Sequence, residues 1–452
     1  MRRVSEPRRH LGVGAALSVL VQGGPLLAGA TLSIVLARTI GPSANGRFTL
    51  LGTLAGLLEL VFSLSLSAGI VYEVSRRRLS VRHAFRTCYA AALVLGLAAA
   101  GVGLGIFELM HDSVFGGIST ALAVVALTSI PPALAYVYAD AILLARERYE
   151  VFAGLELSHS ATFLLIGAGL AVPFGVTGAV IGLPAAAAVA ACVGALLLRR
   201  EAARDTGADT PRSLRRAVRF GLQSWGANLL QQINYRFDVL ILGAFAATRD
   251  VGVYSVALTL TATAWVLPQG LQTVLFPRVA DLDEATRAGD MSSDESDAGL
   301  AKAIRHGVLL SLPAAVLISV LLVVGVPLLY GSKFHDTIWL GFILLPGTLM
   351  LGVAKILTSA IAGRGYPRYS LYTGAISVPA TLALYFGLIP SLHAWGAAIG
   401  SSVSYGFTAL ITLGFFRRVT RLGLREAFVP RAEDVADYGG LMRLLMPRRW
   451  ST

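Results

Sequence analysis

The sequence predicts an all-α polytopic membrane protein. About twelve transmembrane helices form two six-helix lobes around a central cavity, with both termini cytoplasmic. Three observations predict this. The chain has 452 residues, of which 55% are apolar and 14% charged, and its mean hydropathy is +0.69. Soluble domains carry about 25% charged residues, and no soluble core of this size hides such a surplus of apolar side chains. A soluble enzyme, a disordered chain and a disulfide scaffold are thereby excluded. The basic residues fall in short clusters between long apolar runs. The sequence also repeats itself at long range.

Taken in order, the apolar stretches run over 11–37, 48–72, 87–107, 117–145, 151–172, 174–198, 218–245, 252–275, 307–330, 338–362, 369–390 and 394–416. At 1.5 Å per residue each crosses about 30 Å of hydrocarbon. The first is too long for a signal-peptide core and is expected to be retained. The fifth and sixth meet at Pro173-Phe174-Gly175, and the last two at Pro390-Ser391-Leu392-His393, with almost no loop between them. The remaining chain divides into a basic segment 1–10, a basic linker 199–217 between lobes 11–198 and 218–416, an acidic loop 277–306 and a basic tail 417–452. The loop carries Asp281, Asp283, Glu284 and Asp290 and reads as solvated chain. The tail, with Leu441, Leu444, Leu445 and Met446 beside Arg443, reads either as a short amphipathic helix on the inner leaflet or as a frayed end.

Charge tests this count. With the N-terminus inside, 32 of the 38 Lys and Arg residues fall on the cytoplasmic side. Only Arg38, Arg47, Arg249 and Lys333 fall outside, and Arg236 and Lys355 lie within spans. A miscounted helix would scramble that alternation. The same distribution argues against nucleic acid as the partner of a chain with net charge +12. Cys88 and Cys192 lack metal-site spacing and read as small apolar side chains.

The repeat has two offsets. Asn45-Gly46-Arg47-Phe48-Thr49 and Val251-Gly252-Val253-Tyr254-Ser255 share a Gly-x-aromatic-hydroxyl order 206 residues apart. Gly178-Ala179-Val180-Ile181-Gly182 and Gly396-Ala397-Ala398-Ile399-Gly400 lie 218 apart, as do Ala145-Arg146 and Gly363-Arg364. Two six-helix units in the same orientation follow, with a substrate path between them.

The segment Leu36-Ala37-Arg38-Thr39-Ile40-Gly41-Pro42-Ser43-Ala44-Asn45-Gly46-Arg47-Phe48 closely resembles the Arg-x-Leu-Gly-Pro-x-x-x-Gly-x-Phe/Tyr pattern of the polysaccharide biosynthesis flippases. These belong to the superfamily of multidrug, oligosaccharidyl-lipid and polysaccharide exporters. Ile40 stands where Leu is usual. Val251–Ala257 looks like the second-half copy, and Phe276-Pro277-Arg278-Val279 is also similar. The resemblance implies a V-shaped twelve-helix fold in the inner (plasma) membrane. It also implies export of a polyprenyl-pyrophosphate-linked oligosaccharide by alternating access, with a polysaccharide polymerase and glycosyltransferases as partners. An ion-coupled multidrug exporter of the same fold is the alternative. A membrane-embedded glycosyltransferase or polymerase is disfavoured by the short outer loops.

Ionisable groups within spans are costly and are site candidates by default. The seventh span carries a polar stripe of Ser224, Asn228, Gln231, Tyr235 and Asp238 at helical spacing, with Gln232 and Arg236 beside it. Asn228, Gln231, Gln232, Tyr235, Arg236 and Lys355 are the cavity candidates. Arg236 either holds a diphosphate through its guanidinium fork or pairs structurally with Asp238 or another acid. Lys355 either attracts phosphate at the inner mouth or snorkels to the interface. Glu59 and Asp238 are candidates for coupling to H+ or Na+. Glu156 and His159, three apart, either share a proton or form a local hydrogen bond. No Walker A, Gly-x-Ser-x-Gly or zinc spacing occurs, so no cofactor or metal and no enzyme activity is expected.

Overall fold

The computed structural model describes residues 7–205, 212–266, 268, 279, 292–420 and 422–434, with side chains from Gly23 onward except at 204 and 293–296. Every regular element among them is helical. The order is α1 (Pro7–Thr39), α2 (Pro42–Ser63), α3 (Leu66–Ser75), α4 (Val81–Leu109), α5 (Thr120–Leu127), α6 (Ile130–Ala145), α7 (Tyr149–Arg204), α8 (Ser213–Phe245), α9 (Thr248–Ala262), α10 (Ser293–Val320) with a π-helical extension Leu321–Tyr330, α11 (Asp336–Gly363), α12 (Arg368–Val419) and the short α13 (Leu424–Phe428). Among the described residues, seven helical stretches are long and apolar enough to cross a membrane. Two of them, α7 and α12, run 56 and 52 residues and each doubles back on itself. With α1, α8 and α9, the described residues make twelve crossings, and the protein is a multi-pass membrane protein.

Both tight joints expected from sequence are single-residue reversals. Gly175 (φ 62°, ψ −138°) turns α7, and His393 (φ 50°, ψ −125°) turns α12. The returning arms pack at once. A Cβ on Gly178 would lie 1.9 Å from the Leu170 carbonyl oxygen, and one on Gly396 would lie 2.3 Å from that of Leu388. The backbone thus carries the 218-residue offset. Glu147 and Gly365, also 218 apart, share positive φ after the ends of α6 and α11. The 206-residue offset is carried by contact. A Cβ on Gly46 would meet the Thr248 carbonyl oxygen at 1.9 Å, and one on Gly252 would meet that of Pro42 at 1.9 Å. The two motif copies therefore pack back to back where α2 crosses α9.

Three features differ from the sequence reading. The second span breaks at Leu64 and Ser65, both at positive φ, separating α2 from α3. A break inside a membrane survives only where its freed polar groups are met by protein. Here Tyr138 Oη donates to the Ser63 carbonyl at 3.1 Å, Trp225 Nε1 to that of Val61 at 3.0 Å, and the Ser65 amide to Ser63 Oγ at 3.2 Å. The fourth span breaks before Ile130-Pro131-Pro132, which open α6 because the first turn of a helix is where proline costs least. The ninth span starts earlier than 307. From Ser293 the chain is already helical, since Leu300 and Ile304 bury one face against α11 and the chain after α12. The rest of the acidic loop, apart from Val279 and Ser292, and the tail residues Leu441–Met446 lie outside the described residues.

Two seams join the halves of the chain. At one end of the bundle, Asn45 Nδ2 donates to the Gly252 carbonyl at 3.2 Å and to Ser255 Oγ at 3.1 Å. There too Arg38 Nε donates to the Leu329 carbonyl at 2.7 Å, and the same guanidinium reaches Leu328. Arg38 so satisfies acceptors that the π-helical end leaves open. At the arginine-rich end, α3 and α8 close on one another. Gly69 lies against the Ala217 backbone, Tyr72 stacks on Phe220 at 4.7 Å, and Arg216 pairs with the fully buried Glu73 at 3.2 Å.

Candidate functional site

The polar stripe of α8 divides into three environments. Its deepest part is sealed. Asp238 is buried and accepts hydrogen bonds from Tyr254 Oη, from Ser401 Oγ at 3.2 Å and from the Val239 amide at 2.8 Å. One turn earlier, buried Asn234 accepts from Thr381 Oγ1 (2.7 Å) and Ser404 Oγ (2.9 Å) and donates to Thr408 Oγ1 (3.3 Å). Tyr385 joins the two clusters through Ser401 at 3.0 Å. Hydroxyls of α9 and α12 thereby solvate an acid that no ion pair holds among the described residues. Such a network is favourable only because every member is satisfied.

The second environment is a cavity of about 320 Å³ between α8, α11 and both arms of α12. Asn228, Gln231 and Tyr235 line it from α8, Lys355 and Thr358 from α11, and Ser370, Thr373, Ser377, Thr408 and Thr412 from α12. The sequence candidates Asn228, Gln231, Tyr235 and Lys355 therefore meet at one place. Lys355 does not snorkel. It is half-buried, and its Nζ sits 4.5 Å from the Trp265 ring centre and 5.2 Å from that of Tyr235. Tyr405 meets both rings edge-on at 6.0 Å. Such cation–π contacts contribute about 0.5–2 kcal/mol each, more as water is excluded. They hold the ammonium without neutralising it, and no acid lines the cavity among the described residues. Asn228 also donates to Ser65 Oγ at 3.1 Å, so it serves the α2–α3 break as well as the cavity.

The third environment holds Gln232 and Arg236, which lie outside that lining. By helical spacing they continue the face of α8 that touches the end of α2 and the break at Leu64-Ser65 through Trp225 and Gly221. Gln232 is half-buried. Arg236 is exposed and has no hydrogen bond or ion pair among the described residues. The structural pair of Arg236 with Asp238 does not form. Glu59, on α2, is half-buried and likewise has no partner among the described residues.

The first half has a counterpart to the cavity. Tyr136 Oη donates to Glu156, the His159 ring stacks on Tyr136 at 4.6 Å, and Asp140 Oδ1 is buried without a partner. Glu156 thus bonds to Tyr136 rather than to His159. At the 218-residue offset these four positions become Ala354, Thr358, Gly374 and Ser377, all lining the cavity of the second half. Small and hydroxyl residues open a space there that acids and rings fill in the first half.

Sequence reasoning missed Trp265, Tyr405 and the hydroxyls of α12. One signal was available: Trp265 stands 206 residues after Glu59, at the corresponding place in the repeat.

Known proteins match this architecture. Against solved structures, the chain aligns with the inward closed conformation of the lipid II flippase MurJ at TM-score 0.70 and 12% identity, over 96% of this chain and 94% of that one. It aligns with the inward-facing conformation of a multidrug resistance MATE family transporter of the MOP superfamily at TM-score 0.67 and 15% identity, over 89% and 98%. A probable low-salt glycan biosynthesis flippase, Agl15, of Haloferax volcanii is 25% identical over 174 residues, which are 38% of this chain. That match spans about a third of the relative's length, 36%. Residues 35–339 match the family model described as polysaccharide biosynthesis protein, and the chain belongs to that family.

Proposed function

We propose that this protein is a flippase moving polyprenyl-pyrophosphate-linked oligosaccharide units from the inner to the outer leaflet of the cytoplasmic membrane, by alternating access between two lobes, 11–198 and 218–416. The observation that carries the reading is the cavity around Lys355: a cation with no acid beside it among the described residues, ringed by amides, hydroxyls and aromatic faces. Aromatic faces and amide or hydroxyl groups are the chemistry that binds sugar rings, and an unneutralised ammonium suits an anionic head. Arg236, exposed on α8 and without an ion pair among the described residues, supplies a second positive group for the diphosphate. The polyprenyl tail stays in hydrocarbon, so only the head needs a polar path.

Both termini are cytoplasmic in this reading, by the distribution of Lys and Arg. Asp238 and Glu59 are the coupling candidates for H+ or Na+. Glycosyltransferases supply the substrate and a polymerase consumes it. A multidrug exporter of the same fold would place acids rather than Lys355 against its ligand. Reconstituted vesicles carrying a polyprenyl-pyrophosphate-linked glycan test the proposal. Lys355→Gln and Arg236→Ala should each abolish transport while leaving the folded protein inserted, and wild-type transport by both variants would remove the reading.

A further inference from the structure

A second basic site lies away from the cavity, on the flank of the first half. A groove of about 480 Å³ opens between the start of α4 and the end of α7. Its lining carries Arg82, Arg86 and Arg199 around Phe85. All three arginines are exposed, and none has an ion pair or hydrogen bond among the described residues. The nearby acids are engaged elsewhere. Asp205 caps α4 through the Val81 amide at 2.6 Å and pairs with Arg146 at 3.6 Å, and Glu201 pairs with Arg148 at 3.3 Å. Three like charges held together with no counter-charge among the described residues repel one another, so the groove favours an anion.

The surface above the groove says which anion. On α4 the stripe Arg82, Arg86, Ala90, Leu93 and Leu97 follows helical spacing. On α7 the stripe Val189, Cys192, Leu196 and Arg199 does the same. Leu93, Leu97 and Leu196 are 56%, 59% and 57% exposed, which in a membrane protein means facing lipid. Both helices thus run from a bare apolar face into arginines within the same stripe. A nucleotide or free phosphate would use the charges and leave the apolar track empty. An amphiphile uses both.

We propose that this groove binds an anionic phospholipid of the inner leaflet, its phosphate among Arg82, Arg86 and Arg199 and its acyl chains along Leu93, Leu97 and Leu196. Basic pockets between helices at the cytoplasmic face bind anionic headgroups in this manner. The site is independent of the transport cavity.

The test uses the full chain in nanodiscs and fluorescent phosphatidylglycerol as the probe, with phosphatidylcholine as the neutral comparison. Phosphatidylglycerol should bind in preference to phosphatidylcholine. The triple variant Arg82→Gln, Arg86→Gln, Arg199→Gln should weaken phosphatidylglycerol binding about 100-fold, at roughly fivefold per arginine. A charge-matched control, Arg417→Gln, Arg418→Gln, Arg425→Gln, should change it less than about twofold. If the first triple variant does not fold, each single Arg→Gln variant should still show its own several-fold loss. Leu97→Asn with Leu196→Asn should weaken the long-chain lipid and spare a soluble short-chain analogue. Equal losses in the two triple variants would reduce the groove to bulk charge. Displacement of the lipid by millimolar inorganic phosphate, with no effect of the leucine variants, would assign it to free phosphate instead. Either result overturns the proposal.

Discussion

Adding one methyl group at Gly252 should open the seam between the two halves. The Cβ of Gly252→Ala would lie 1.9 Å from the Pro42 carbonyl oxygen, 2.8 Å from its carbon and 3.0 Å from the Gly46 nitrogen. All three are backbone atoms and none can rotate away. Ordinary contact needs about 3.3 Å, so α2 and α9 must part by more than 1 Å. Overpacking of this kind costs about 1–3 kcal/mol. The movement also weakens the two hydrogen bonds from Asn45 to Gly252 and Ser255, worth about 1 kcal/mol each. If both bonds are lost the total is about 3–5 kcal/mol, a shift of roughly 150- to 5,000-fold against the closed seam. Gly46→Ala should act alike, since its Cβ meets Thr248 at the same distance. The assay is a spin-label distance between Ser43→Cys and Arg249→Cys, both exposed positions beside the seam, in a background lacking Cys88 and Cys192. The distance distribution should lengthen in both alanine variants. An unchanged distribution and an unchanged melting temperature in both would refute the back-to-back packing.

Other outcomes follow from single residues. Lys355→Arg keeps the charge over Trp265 and Tyr235 and should retain partial transport, whereas Lys355→Met, tested in the same vesicles, should lose it. His393→Gly relieves a non-glycine residue at φ 50° and should raise stability by about 0.5–1 kcal/mol after the entropy of the added glycine, read from thermal unfolding in detergent. Arg305 donates to buried Asp434 at 2.6 and 3.0 Å and to the Glu426 carbonyl at 3.0 Å, tying the chain after α12 to α10. Arg305→Gln should expose residues 422–434 to protease at neutral pH. These hydrogen bonds hold the Asp434 carboxyl down at about 2, so the attachment is present above the ordinary carboxylate value near 4 and is lost as pH falls toward 2. The protection of amides in 422–434, with exchange corrected for its intrinsic pH dependence, should fall in that window, and equal protection at pH 2 and pH 6 would contradict the role of Asp434.

Much of the fold was legible because membrane solvation leaves few options. Apolar length places the spans, and Pro173-Phe174-Gly175 and Pro390–His393 mark reversals that the backbone makes at Gly175 and His393. The α8 stripe was legible because lipid does not tolerate Asn228, Gln231 and Asn234 in sequence. Its division into a sealed network, a cavity and an exposed face was not. That division depends on which helix stands opposite, and hydroxyls such as Thr381 and Ser404 carry no signal of their own in an apolar helix. The break at Leu64-Ser65 was invisible for the same reason. Neither residue is a breaker, and the groups that sustain it, Tyr138 and Trp225, come from α6 and α8. Early helix in 293–306 was hidden by an acidic composition that outweighed the Leu300 and Ile304 pair.

The central claim is that the head of a lipid-linked glycan crosses the membrane through this chain. The direct measurement is leaflet accessibility of a polyprenyl-pyrophosphate-linked glycan in vesicles holding the purified protein, read with an impermeant glycan-modifying enzyme. Substrate sealed in the far leaflet should become accessible with wild-type protein and stay protected with Lys355→Gln. Wild-type vesicles that leave the glycan protected in every ion gradient applied, while exporting a cationic drug, would contradict glycan transport and make the protein a drug exporter.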